Sequence, residues 1–256
     1  MNLTKSSNPA LGSSVLERVS SDVQGEKMTI NGTVNKTGLL LLLVLLAATF
    51  TWRKFYGAFY NTPEQAFATV QIWLIIGAIG GFVTAMVTVF KPTVSRISAP
   101  IYAVLEGLFL GGISAFFESM YPGLVMRAVA LTFGVFMIML GLYRSGRIRA
   151  TGKFRIAVIA ATGGIALVYL VSFILGLFGI HVGFLYGNSM LSIGISLLIV
   201  GVAALNLVLD FDFIEQGAAA EAPKYMEWYG AFGLMVTLVW LYIEILRLLS
   251  KIASRD

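Results

Sequence analysis

The chain has 256 residues, of which 58% are hydrophobic and only 12% charged, with a mean hydropathy of +0.86. A soluble domain of this length is nearer a quarter charged, because its surface must face water, so the composition excludes one and leaves an integral membrane protein. The net charge of +5 sits at the ends of apolar runs and in short loops, which is the distribution of topology signals and not of a nucleic-acid patch. No cysteine is present, so disulfides and thiolate metal sites are excluded, and the compartment is left open.

Residues 1–36 are polar and mixed in charge and lack the basic start and apolar run of a signal peptide. They are expected to form a largely disordered cytoplasmic tail, with a short helix around 14–20. Apolar segments follow at 37–52, 69–90, 101–117, 124–143, 156–180, 188–214 and 228–250. Crossing the hydrocarbon core takes about 20 residues at ~1.5 Å rise each. The first segment is short unless it extends through 53–60. Between the segments lie groups that would not sit in lipid, among them Arg53-Lys54, Lys91-Pro92, Tyr121-Pro122-Gly123 and the charged loop from Arg144 to Arg155. The expected fold class is an all-α integral membrane protein, a seven-transmembrane-helix bundle over 37–252, with 253–256 as a tail.

Lys and Arg near span ends set orientation. Twelve fall on the side of the N-terminus, with the Arg144–Arg155 loop the strongest signal. Arg53, Lys54, Arg127, Arg247, Lys251 and Arg255 fall on the other. The excess places the N-terminus inside, and the basic residues of the last helix dissent.

Helices gain little from hydrophobicity in lipid, so small residues mark where they touch. Gly77 with Gly81 and Gly107 with Gly111 have the four-residue spacing of close helix contacts, and Gly163-Gly164 and Gly194 with Gly201 are expected to act similarly.

Acidic side chains at bilayer depth cost roughly 2.5–3.5 kcal/mol on insertion scales, so each must face a partner, a cavity or a pathway. Glu106, Asp210, Asp212, Glu227 and Glu244 lie within or just inside apolar segments. Asp210 and Asp212 are about 200° apart on a helix and cannot share a partner. Asp210 shares a face with Asn206. Glu244 shares one with Arg247, with which it could form an intrahelical pair. Asp212 reads as a hydrated residue near a span end. Glu106 reads equally as a boundary residue or as a buried acid with a partner. Lys91, leaving the second span, reads as a snorkelling topology marker. An acidic cluster on the last two helices would share a proton, because two close carboxylates cannot both ionise in a low dielectric. Such a pair can switch with pH, and its oxygens suit Ca²⁺.

The stretch Leu209-Asp210-Phe211-Asp212-Phe213-Ile214, the segment Leu241-Tyr242-Ile243-Glu244-Ile245 and the glycine-containing run from Glu106 to Ile113 resemble the Bax inhibitor-1 family, also called the transmembrane BAX inhibitor motif family. The polar N-terminus and the run Ala222-Pro223-Lys224-Tyr225-Met226-Glu227-Trp228-Tyr229 resemble its long-tailed bacterial branch. The resemblance covers roughly residues 30–252. It implies a bacterial cytoplasmic membrane and a seven-helix fold with the last helix central. It also implies a pH-sensitive Ca²⁺ leak gated by a carboxylate pair, carried over here as Asp210 and Glu244, with Lys91 as a counter-charge. Glu stands where the family has Asp at 244, and the segment joining the two acids is longer than usual.

Depth tests that pairing. Asp210 is about 6 Å from the helix end at Ile214, and Glu244 is roughly 24 Å past Trp228. The two meet only if the sixth helix runs past Gln216 and the seventh enters the bilayer near Gly233. Two functions follow as expectations: a passive pH-gated cation leak, with Ca²⁺ as transported ion and Arg247, Glu106 and Asp212 as further pathway residues, or a non-transporting modulator of another membrane protein such as a quality-control protease. No cofactor is expected, and no nucleic acid. Oligomeric state stays open, with a monomer compatible. An enzyme is not expected: His181 is the only histidine, and no paired metal-ligand or Ser–Lys motif stands out.

Overall fold

The computed structural model describes residues 26–180 and 183–255; the expected helix at 14–20 and His181 lie outside them. Seven long helices make up almost all of the described chain: α1 Ile30–Phe59, α2 Ala66–Phe90, α3 Ser95–Met120, α4 Leu124–Arg144, α5 Gly152–Leu177, α6 Met190–Ala219 and α7 Met226–Ala253. All seven are long and apolar enough to cross a membrane.

Helix boundaries follow local chemistry. The Thr29 hydroxyl accepts from the Gly32 amide and starts α1 seven residues before the expected edge, so Lys36 belongs to the helix and not to the tail. Thr151 and Ser189 cap α5 and α6 in the same way. The Glu118 carboxylate accepts from the amides of Gly123 and Val125, which caps the start of α4 across the tight Tyr121-Pro122-Gly123 turn. Gly123 takes φ +81° there, a conformation side chains resist.

α7 is central. It packs against α1, α3, α4 and α6, while α2 is held on the outside by α3 and α1, and α5 by α6. Two glycine pairs let backbones nearly touch. A Cβ on Gly77 would stand 2.6 Å from the Leu105 carbonyl, and one on Gly111 2.1 Å from that of Ala48. By contrast, Gly163, Gly164, Gly194 and Gly201 have open space where a Cβ would go, so the packing role expected of them is not realised. Spacing puts such glycines on one face, but a neighbour must still cover it.

The start of α1, the α2–α3 turn, the α4–α5 loop and the α6–α7 turn gather at one end of the bundle, here the N side. Ser95 donates to the Tyr225 carbonyl there. Glu227, fully buried, accepts from the Thr29 amide and hydroxyl and pairs with Lys36 and Lys224. At the opposite end, the C side, Lys251 near the end of α7 reaches the segment between α5 and α6.

Candidate functional site

Hydrophobicity does not hold α5, α6 and α7 together in lipid, and polar side chains lie between them. On α5 they recur every seven residues: Arg155, Thr162 and Tyr169. On α7 the same interval separates Thr237, Glu244 and Lys251. Seven residues are two turns with a drift of only ~20°, so each set forms one stripe. On α6, Ser192, Ser196, Asn206 and Asp210 lie close to a common face by the same arithmetic.

From the N side, Arg155 forms an ion pair with Asp212, which also accepts from Gln216. The Asn206 amide donates to the Thr162 hydroxyl at 2.8 Å. Asp210 faces Thr237 and Gly233 of α7. Its Oδ2 is buried without a hydrogen-bond partner, and no other buried side-chain nitrogen or oxygen among the described residues is in that position. Two turns further along α7, Glu244 is only 2% exposed. Its Oε1 accepts from the Tyr169 hydroxyl at 2.9 Å and lies 3.2 Å from Arg247 Nη1, which also donates to the Tyr169 oxygen at 2.6 Å. Last comes Lys251, 5% exposed, whose ammonium donates to the Leu185 carbonyl at 2.6 Å and to the Ser192 and Ser196 hydroxyls at 2.8 Å each. The result is a column of separate polar contacts at successive levels between α5, α6 and α7, interrupted by an apolar cavity that Ile165, Val168, Leu198 and Ile199 line.

In this arrangement the two expected acids, Asp210 and Glu244, have different partners. Asp210 lies level with Gly233 and Thr237, and the seven residues from Thr237 to Glu244 separate the two acids by about 10 Å along the helix. α6 does run past Gln216 to Ala219, but it brings Asp210 opposite a hydroxyl, while Glu244 takes its intrahelical arginine. Among the described residues no three His, Cys, Asp or Glu side chains gather.

The remaining candidates scatter. Asp212 is an ion-pair partner and not simply a hydrated end. Glu106 contacts its own Tyr102 and faces Gly81 of α2, away from the column. Lys91 caps α2 on the exposed turn and makes no ion pair among the described residues. Sequence reasoning misses Tyr169, Thr162, Thr237, Ser192, Ser196 and the burial of Lys251. The sevenfold recurrence on α5 and α7 is the signal that points to most of them.

The fold defines a multi-pass helical membrane protein with a central last helix. A profile of the family described as Bax inhibitor 1 like matches residues 8–254, and the chain belongs to that family. No curated protein and no solved structure matches it.

Proposed function

We propose that the protein is a pH-sensitive cation leak of a bacterial cytoplasmic membrane, N side inside, with the α5–α6–α7 column as its route and Asp210 as the group that responds to pH. The carrying observation is the unpartnered buried Oδ2 of Asp210. A carboxylate in that setting either holds a proton or needs water or a cation beside it. The charges nearest to it are engaged elsewhere, Arg155 with Asp212 and Arg247 with Glu244, and Lys251 lies about 21 Å further along α7. From α7, Thr237 and Gly233 face it.

Protonated, Asp210 is neutral and α6 packs closely on α7. Ionised, it draws in water or a cation and opens the track, so flux rises as pH rises through its titration. Asp210→Asn keeps the shape and removes the proton. In proteoliposomes carrying indicators for protons, K⁺ and Ca²⁺, the variant should pass ions at a rate independent of pH, where the wild type shows a pH step. A variant with the wild-type pH response would refute the assignment of Asp210.

A further inference from the structure

On the flank of α7 away from the polar column, the bundle is left open. α1 packs on α2, α3 and α7, and α4 packs on α3, α6 and α7, but α1 and α4 hardly touch each other. The gap between them is a cleft of about 380 Å³, within the roughly 300–1,000 Å³ of ligand pockets. Leu110 of α3 and Leu238 and Val239 of α7, all buried, form its floor. Leu45 of α1 and Phe133 of α4 stand at its mouth, 62% and 48% exposed. No residue of α5 or α6 lines it.

Four hydroxyls reach the cleft, and the protein takes them up itself. Ser114 and Tyr242 hydrogen-bond each other at 2.7 Å, while Thr49 and Thr132 donate to the Leu45 and Ala128 carbonyls of their own helices. Hydrocarbon is what faces the space. A water held in a cavity takes roughly two to four polar partners, and the lining offers it too few. Both flanking helices are long and apolar enough to cross the membrane, so the mouth opens sideways onto lipid chains. Trp52 lines the C-side end, as tryptophans do where chains meet headgroups.

At that end stands an unanswered charge. Arg53 follows Thr49 by four residues and so continues the α1 rim of the cleft. It lies seventeen residues beyond Lys36, about 26 Å along the helix, which is close to the thickness of the hydrocarbon core and sets the guanidinium at headgroup depth. Arg53 is exposed and forms no ion pair among the described residues. The other basic groups nearby are turned elsewhere. Lys54 lies over the Phe50 ring at 5.3 Å, and Arg127 is about 200° round α4 from Val125 of the lining. A guanidinium above an apolar cleft complements a phosphate above an acyl chain, because its planar fork takes two phosphate oxygens at once. A zwitterionic lipid carries its own cation beside the phosphate and gains less from the arginine.

We propose that the α1–α4 cleft binds a single anionic phospholipid of the C-side leaflet, with one acyl chain in the cleft and the phosphate on Arg53. The site does not depend on the column being an ion route. It also gives Arg53 a reason to stand on the side that the positive-inside rule leaves poor in basic residues.

Native mass spectrometry of the full-length protein in detergent tests the site, with phosphatidylglycerol and phosphatidylcholine of the same chains titrated separately. One phosphatidylglycerol should be retained with an apparent Kd about tenfold below that of phosphatidylcholine, the scale of a charge-assisted contact. Arg53→Gln should remove that preference. Arg127→Gln deletes the same charge at the same end of the bundle and should leave the preference in place. Thr49→Phe sets a ring in the mouth and should weaken phosphatidylglycerol by about tenfold as well. Both Arg53 and Thr49 are exposed, so each variant should assemble with the wild-type melting temperature. Equal retention of the two lipids, or equal losses in Arg53→Gln and Arg127→Gln, would reduce the binding to annular lipid and overturn the site. Wild-type retention by Thr49→Phe would put the lipid outside the cleft and overturn it too.

Discussion

Gly111 shows how much of this bundle turns on single hydrogen atoms. A methyl group there would stand 2.1 Å from the Ala48 carbonyl and 2.3 Å from the Thr51 hydroxyl, so α1 and α3 would have to separate. Overpacking of this kind costs about 1–3 kcal/mol. Gly111→Ala should therefore lower the melting temperature in detergent by several degrees. Gly201→Ala, with nothing within 4 Å of the new carbon, should be neutral or slightly stabilising. Equal melting temperatures for the two variants would show that the α1–α3 approach contributes no stability. The same contrast marks what is legible at this scale. The four-residue glycine spacing is visible in the sequence at 77, 81, 107 and 111, and there it does mark contacts. Gly163, Gly164, Gly194 and Gly201 on α5 and α6 look alike in sequence, but those helices turn these positions to open space.

Among the helices, α5 is the most loosely attached: Val158 and Ser172 are its only buried residues. Its lasting links are polar, through Arg155, Thr162 and Tyr169. The Tyr169 hydroxyl joins two charges of α7 at once, donating to Glu244 and accepting from Arg247, with the guanidinium also over its ring at 5.2 Å. Tyr169→Phe keeps the ring and removes both hydrogen bonds. Interhelical hydrogen bonds in membranes are worth about 0.6–1.7 kcal/mol. The variant should thus lose about that much stability and show faster amide exchange across α5 than across α3. Unchanged exchange in α5 would mean that something other than this tyrosine holds the helix. Why the column is hard to read beforehand is clear at this level. A lysine close to the end of an apolar helix has the same sequence signature whether it snorkels or turns inward, and only its serine partners, some 55 to 59 residues earlier in the chain, decide between the two. Likewise, Asp210 and Glu244 are both acids deep in apolar runs, and the sequence does not fix the offset between α6 and α7 that sets one against Thr237 and the other against Tyr169.

For the molecule as a whole, the seven helices and their order are legible because each loop carries prolines, glycines or charges that cannot enter lipid. The orientation is less plain, since six of the eighteen basic residues oppose the positive-inside rule. The structure removes two of them from that balance. Arg247 is engaged with Glu244 and Tyr169, and Lys251 is enclosed by α6 and its preceding segment, so neither is held at a membrane surface by its charge. What remains against the rule is Arg53, Lys54, Arg127 and Arg255, opposed by the exposed cluster of Arg144, Arg147, Arg149 and Lys153 in one short loop. Short basic loops stay in the cytoplasm, so the N side, which holds this loop, should face inward. The chain has no cysteine, which makes single-cysteine labelling clean. Ser145→Cys, in the exposed α4–α5 loop, should resist a membrane-impermeant maleimide in intact cells and react after permeabilisation. Asn61→Cys, in the exposed α1–α2 turn, should react in both. The reverse pattern would invert the protein in the membrane.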